Sequence, residues 1–130
     1  MNKIEISGHA KYKINANQLS TDINQALLVF NCNDASVHIN FVSAKEIQKL
    51  NKKHRKTDQP TDVLSFPQID LPNARIKILG DIVISPEIVI EKNEDLSDVA
   101  KHGLLHLLGF DHETAEKLWL EAAHKIDCSL

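Results

Sequence analysis

The stretch His102-Gly-Leu-Leu-His106-Leu-Leu-Gly109-Phe-Asp-His112 decides how this part of the chain folds and what it can bind. Residues four apart on an α-helix lie one above the other on the same face, so a helix here brings His102 and His106 together. Gly109 can end that helix in a left-handed conformation, and the chain then turns back to bring His112 to the same point. Three imidazoles and one open position are typical of a catalytic zinc.

Zinc proteases of the metzincin type have the same histidine spacing, with one difference. They carry His-Glu-x-x-His-x-x-Gly-x-x-His, in which the Glu is the general base. Gly103 occupies the position of that Glu here. The sequence therefore predicts one metal ion per chain but argues against a peptidase. Zinc is expected first, although nickel or cobalt would also fit three imidazoles.

Length and composition predict one globular domain over residues 1–130. The chain is 42% hydrophobic and 25% charged, ordinary values for a globular protein with a real core. Its apolar stretches are too short for a membrane span, so no membrane is expected among its partners, and residues 1–7 lack an apolar signal region. Cys32 and Cys128 form no Cys-x-x-Cys motif and are expected as reduced thiols in the cytoplasm.

The charge of the chain is unevenly distributed. The net charge of −3 argues against a generally basic nucleic-acid binder. Between Lys45 and Lys56, however, six Lys or Arg residues stand against one acid, Glu46. Such a patch either meets phosphates or is a solvated helix face, and charge alone favours the solvated face.

The rest of the pattern mixes strands and helices without a regular βαβ alternation. Alternating apolar residues predict strands at Ile4–Ser7, Val37–Val42, Thr61–Pro67 and Gly80–Ser85. Helices are predicted at about 17–30, after the capping box Ser43–Glu46, after Ser85-Pro86-Glu87, from about 95 to Gly109 and at about 113–126. Residues 67–77 are predicted to form a surface loop. The expected fold class is α+β, a small mixed sheet of about four strands covered by helices, with the metal site at a helix end and the following turn.

Four separate segments make the chain resemble the YbeY family of bacterial single-strand-specific endoribonucleases. They are Leu50-Asn51 with Arg55, Pro60–Pro67, Leu79–Ser85 and the histidine run, in that order. The resemblance implies an α+β metallo-endoribonuclease domain whose zinc is held by His102, His106 and His112. It also implies single-stranded ribosomal RNA as substrate, the ribosome or ribosomal proteins as partners, and a role in maturation of the small-subunit rRNA 3′ end and in ribosome quality control.

Arg55 matches the functional arginine of that family. A planar guanidinium can bind two phosphate oxygens at once, whereas without the resemblance Arg55 would be interpreted as a surface residue. Lys52, Lys53 and Lys56 are expected to contact the RNA backbone, each with a modest effect when replaced singly.

The sequence leaves the mechanism of cleavage open, because it offers no obvious general base. Either water activated by the metal attacks phosphorus, or the 2′-OH of the RNA does so and leaves a 2′,3′-cyclic phosphate. Asp111 could orient a ligand imidazole, cap the following helix or act as a base, in that order of preference.

Two further residues and one alternative function remain open from sequence. Gly103 inside a helix costs about 1 kcal/mol relative to Ala, which indicates close approach of either a packed strand or the substrate. Trp119, the only tryptophan, is expected in the core rather than as a base-stacking surface. The alternative is a non-enzymatic ribosome-associated protein with a structural zinc, which needs a fourth protein ligand such as Cys128.

Overall fold

The computed structural model of the protein describes residues 1–68 and 77–129. Its strands are β1 (Lys3–Ser7), β2 (Ala35–Phe41), β3 (Val63–Pro67) and β4 (Lys77–Ile84). Its α-helices are α1 (Ala16–Val29), α2 (Ala44–Arg55), α3 (Pro86–Glu91), α4 (Leu96–Leu107) and α5 (Glu116–Lys125). A short 3₁₀ turn at Ala10–Tyr12 was not predicted. In the part of the chain described, no helix is long and apolar enough to cross a bilayer.

The strands form one mixed sheet in the order β1-β2-β4-β3. β1 pairs with β2 and β2 with β4 in parallel, whereas β3 runs antiparallel to β4. The predicted α+β class with a four-stranded mixed sheet is confirmed. This order places β3 at an edge of the sheet, where it pairs with β4 on one side and, among the described residues, with no strand on the other.

The main core lies on one face of the sheet. Ala35, Val37, Ile39 and Phe41 of β2 are buried there, while the intervening residues of that strand are only partly buried, as side chains alternate between the faces of a strand. The apolar faces of α1, α4 and α5 cover this side, and they belong to the same hydrophobic cluster. This packing fixes α4, which carries two of the three histidines, against β3 and β4.

The opposite face of the sheet is covered only over part of its width. Helix α2 packs there through a small cluster that contains Ile47, Leu64 and Val83. These residues lie on α2, β3 and β4, so the cluster does not extend over β1 and β2. Polar side chains of β1 and β2 therefore remain accessible on this face.

Local capping explains where two of the helices begin and where α4 ends. The Ser43 hydroxyl accepts a hydrogen bond from the Glu46 amide at 3.1 Å, and the Asp95 carboxylate accepts one from the Asp98 amide at 3.1 Å. Gly109 follows α4 with a φ of 94°, the left-handed geometry that glycine adopts without strain. The sequence predicted the cap at Ser43, a start of α4 near residue 95 and its end at Gly109, and these are confirmed; the Asp95 cap bond itself was not predicted.

Three local predictions were wrong or incomplete. Ser85 stands at the N-cap of α3, but its hydroxyl makes no cap hydrogen bond. β4 begins at Lys77 rather than Gly80, because its first residues pair with Ala35 and Ser36 of β2. α5 begins at Glu116 rather than Glu113. Of the predicted surface loop, residues 69–76 lie outside the described residues.

Candidate metal centre and cleft

The structure brings together the three histidines that the sequence singled out. One nitrogen from each of His102, His106 and His112 lies within 4.8 Å of the others, and the Nε2 atoms of His102 and His106 are 3.2 Å apart. Two of the imidazoles come from successive turns of α4. The third is returned by the turn after Gly109, whose amide donates to the His106 carbonyl at 3.1 Å.

Burial lowers the pKa of the His106 imidazole. Loss of contact with water lowers the pKa of the His106 imidazole below its usual value, and the neighbouring His112 lowers it further. A metal ligand must be a neutral imidazole. The environment of His106 therefore favours the form that can donate a lone pair, and the donor set fits a borderline metal ion such as zinc.

Trp119 forms an aromatic floor beneath the three histidines, which sequence reasoning missed. Its ring centroid lies 4.8 Å from that of His102, 4.9 Å from His106 and 5.1 Å from His112. The residue is only 3% exposed, so its predicted place in the core is correct but incomplete. A tryptophan on the inner face of the helix that follows a histidine run was the only signal for this contact.

Gly103 is explained by the packing of α4 on the sheet. A Cβ at this position would lie 2.7 Å from Ile82 Cγ2 and 3.2 Å from both Ser65 Oγ and Val63 Cγ2. The Ser65 hydroxyl also donates to the Gly103 carbonyl at 2.9 Å. Of the two alternatives left open by the sequence, close approach of a packed strand is therefore confirmed.

An open cleft of about 280 Å³ lies over the histidines. Its lining joins the last turn of α2, strand β3, α4 and the turn after it: Arg55, Val63, Leu64, Ser65, His102, His106, Asp111, His112 and Glu113. Arg55 enters the cleft across the edge strand, and its Nη2 donates to the Ser65 carbonyl at 3.3 Å. Among residues 1–68 and 77–129 this is the side-chain hydrogen bond that Arg55 makes, so most of its guanidinium donors are available to a ligand.

Asp111 holds the turn that carries His112. Its carboxylate accepts a hydrogen bond from the Glu113 amide at 2.8 Å, and this bond lowers the pKa of Asp111 below its usual value. Capping of the following helix was the second interpretation made from the sequence, after orientation of a ligand imidazole, and it is wrong, because α5 begins at Glu116 with Ala115 as its N-cap. A lowered pKa makes the Asp111 carboxylate a weaker base, which argues against a role as general base.

The lysines of the basic segment lie beside the cleft rather than in it. Lys52, Lys53 and Lys56 are exposed at the end of α2, and they are not among the residues that line the cleft. Lys52 Nζ lies 3.9 Å from an Asp58 carboxylate oxygen. Of the basic residues predicted to meet RNA, the structure thus brings Arg55 alone to the histidines.

Cys128 does not approach the histidines as a fourth ligand. Its thiol donates to the Asp98 carbonyl at 3.5 Å, in the first turn of α4, whereas His106 lies in the last turn. Eight residues of helix separate the two positions by about 12 Å. Within residues 1–68 and 77–129, the group that could hold a metal consists of the three histidines. Cys32 and Cys128 are present as thiols, as predicted.

Comparison with known proteins gives a consistent result. A family model described as endoribonuclease YbeY matches residues 4–124. An endoribonuclease YbeY of Sulfurihydrogenibium sp. is 35% identical over 125 residues, which cover 89% of this chain and 82% of that protein. One from Aliarcobacter butzleri is 51% identical over 84 residues, 55% of this chain and 56% of the relative. The solution structure of a Thermotoga maritima protein is similar with a TM-score of 0.59 and 26% identity, over 98% of this chain and 87% of that one.

Proposed function

This chain belongs to the YbeY family of endoribonucleases, and we propose that residues 1–130 act as one zinc-dependent, single-strand-specific endoribonuclease domain. The observation that carries the proposal is the cleft in which three convergent imidazoles face Arg55. We propose ribosomal RNA as the substrate, with maturation of the small-subunit rRNA 3′ end and ribosome quality control as the cellular roles. Those roles imply the ribosome or ribosomal proteins as partners and the cytoplasm as the location.

His102, His106 and His112 would hold the metal ion. When bound, zinc supplies a Lewis acid that lowers the pKa of water and neutralises negative charge on a phosphate. The closed side of the site is formed by the Trp119 ring, which excludes water from behind the imidazoles. The open side faces the cleft, so that an RNA phosphate would approach the histidines along the side that Arg55 lines.

Arg55 would orient the scissile phosphate. Its fork of N–H donors matches two phosphate oxygens, and its bond to the Ser65 carbonyl anchors it over β3. The charge that develops on the phosphate in the transition state is then stabilised by a cation that is already in place. Lys52, Lys53 and Lys56 would contact phosphates further along the strand, and each contributes about one unit to the salt dependence of binding.

The structure also bears on the two alternative functions. A peptidase of metzincin type needs a Glu at position 103, but a side chain there would run into Ile82 instead of reaching the cleft. A structural zinc needs a fourth protein ligand, and Cys128 lies at the far end of α4. Both observations favour an open catalytic site.

The test compares wild type with His106→Ala and Arg55→Glu on a single-stranded RNA, with metal content measured on the same samples. We expect both variants to lose cleavage, His106→Ala together with its metal and Arg55→Glu with metal retained. Lys45→Ala, at the opposite end of α2, serves as the control and keeps activity. Cleavage that survives in both site variants would contradict the proposal, and a 2′,3′-cyclic phosphate on the product would identify the 2′-OH as the nucleophile.

A further inference from the structure

A second concave surface lies on the opposite face of the sheet from the metal centre. This groove has a volume of about 490 Å³ and occupies the part of the sheet that α2 leaves uncovered. We call it the sheet groove. It is lined mainly by His38, Asn40, Leu50, His54, Phe66 and Asp81.

The floor of the sheet groove is a connected set of polar side chains on three adjacent strands. His38 Nδ1 lies 3.1 Å from Asp81 Oδ1, and His38 Nε2 lies 2.9 Å from the Ser7 hydroxyl. The Ser7 hydroxyl donates to Asn40 Oδ1 at 3.0 Å. These bonds hold His38, Asn40 and Asp81 in fixed positions, so that the side-chain amide of Asn40 and the second carboxylate oxygen of Asp81 are pre-oriented toward a ligand.

The connectivity of Ser7, His38 and Asp81 is that of a hydrolase triad, but the surroundings differ. The acid of such a triad is buried, whereas the Asp81 side chain is 50% exposed. The Ser7 hydroxyl also gives its proton to Asn40 rather than to a base. The set therefore suits recognition by hydrogen bonds better than nucleophilic attack.

The wall of the sheet groove is aromatic. The Phe66 ring lies 5.0 Å from the His54 ring at an angle of 66°, and Leu50 completes the apolar surface. An aromatic wall above a floor of fixed polar groups is the combination by which proteins bind unpaired nucleobases, through stacking and through contacts to the base edge.

The sheet groove and the candidate metal centre lie on either side of the edge strand β3. His54 of the groove and Arg55 of the cleft are neighbours at the end of α2, and Phe66 and Ser65 are neighbours on the edge strand β3 with opposite orientations. A strand of RNA that crosses the β3 edge would therefore touch both surfaces. The basic residues Lys52 and Lys53 at this end of α2 supply the positive charge that its phosphates need.

We propose that the sheet groove is a nucleobase subsite for the RNA whose phosphate lies at Arg55, and that it prefers a base with an exocyclic amino group, guanine above all. The inference rests on the proposed function and extends it to substrate selection. Asp81 can accept two N–H bonds from the edge of guanine, one at N1 and one at the amino group. Uracil presents a single N–H between two carbonyl oxygens, which repel a carboxylate.

The test uses labelled single-stranded RNA octamers, all uridine or with one guanosine moved through each position in turn. Fluorescence anisotropy read at 4 °C within the first minute gives the Kd, and warming the same samples gives the cleavage. In the wild type we expect one position, at a fixed distance from the cleaved bond, where guanosine tightens binding about tenfold, the effect of one good base contact.

Two groove variants and two controls locate the effect. Asp81→Asn keeps an oxygen that can accept from His38 but replaces the second carboxylate oxygen with an N–H donor. The ratio of the Kd for the all-uridine octamer to that for the guanosine octamer should therefore fall from about ten to about one. Phe66→Leu keeps apolar volume but removes the ring, so binding of every octamer should weaken several-fold. Asp34→Asn, an acid that is 66% exposed, and Tyr12→Leu, a half-buried aromatic outside the groove, should change neither quantity.

The outcomes separate this inference from the proposed function. RNA that is cleaved without a positional preference, or with a preference that Asp81→Asn leaves intact, overturns the nucleobase subsite while the endoribonuclease stands. The same holds if both groove variants bind all octamers like the wild type, as expected if a protein covers this face. A wild type that neither binds nor cleaves any octamer overturns the proposed function itself.

Discussion

At the scale of single residues, Trp119 offers a direct probe of the metal centre. It is the only tryptophan of the chain, and its ring lies 4.8 to 5.1 Å from all three imidazoles. A paramagnetic ion bound by those imidazoles quenches a nearby indole. We therefore expect Co²⁺ to reduce the tryptophan emission saturably, with one equivalent per chain, and Zn²⁺ to compete for the same change. Saturable quenching that persists in His106→Ala would contradict this arrangement.

Gly103 shows a residue-scale cost that only the folded structure reveals. Helix propensity alone predicts that Gly103→Ala stabilises α4 by about 1 kcal/mol. The new methyl would meet Ile82 Cγ2 at 2.7 Å, and overpacking of this kind costs about 1 to 3 kcal/mol. We expect a net loss of about 1 kcal/mol in the free energy of unfolding, measured by urea titration beside Lys101→Ala. A Gly103→Ala protein more stable than the wild type would show that the sheet yields to the added methyl.

At the scale of elements, sequence reasoning worked where the deciding contacts are local. Ser43 and Asp95 accept bonds from amides three residues away, and Gly109 ends α4 through its own backbone freedom. It failed where the contacts are remote. The start of β4 depends on pairing with Ala35, some 40 residues earlier.

A carboxyl pair at the junction of α3 and α4 makes the stability depend on pH. Burial and a hydrogen bond with Asp62 raise the pKa of Glu94 from 4.5 to about 7. The folded state binds the proton of the Glu94 carboxyl group more tightly than the unfolded chain does. The contribution of this proton to the free energy of unfolding is therefore fully present below pH 4.5. It is lost as the pH rises through about 7.

Glu94→Gln should remove this dependence, because an amide is neutral at every pH. We expect the variant to be more stable than the wild type at pH 8 by about 1 kcal/mol, a value reduced by solvent screening near the surface. Thermal unfolding between pH 5 and 8 measures it, with the exposed Glu91→Gln as the matched control. If the stability of Glu94→Gln changes with pH in parallel with that of the wild type, Glu94 is already ionised in the folded wild type at pH 5, and its pKa is not raised.

At the scale of the whole molecule, the sequence predicted the convergence of the three histidines more completely than the cleft around them. His102, His106 and His112 are close in sequence, so one helix and one turn suffice to bring them together. The cleft needs Arg55 to cross β3, and the sheet groove needs Ser7, His38 and Asp81 from three strands. Contacts between residues of different strands depend on the order of the strands in the sheet, and the alternation of apolar residues along the sequence does not encode that order.

A metal ion held by the three histidines would join α4 to the turn that leads to α5. His102 and His106 belong to α4, His112 to the turn that leads to α5, and the Trp119 ring of α5 contacts all three. A ligand that binds only the folded state stabilises it by RT ln(1 + [L]/Kd). At a free zinc concentration of one hundred times its Kd, we expect about 2.7 kcal/mol and a rise of several degrees in Tm.

The matched variants for this prediction are His112→Ala and His124→Ala. Both remove an exposed imidazole, but only His112 belongs to the group that could hold a metal. We expect the zinc-induced shift in Tm to persist in His124→Ala and to shrink strongly in His112→Ala, because two imidazoles on one helix bind zinc weakly and leave the turn unattached. An equal shift in both variants would mean that zinc stabilises the protein from another place, and that the turn after Gly109 does not deliver a ligand.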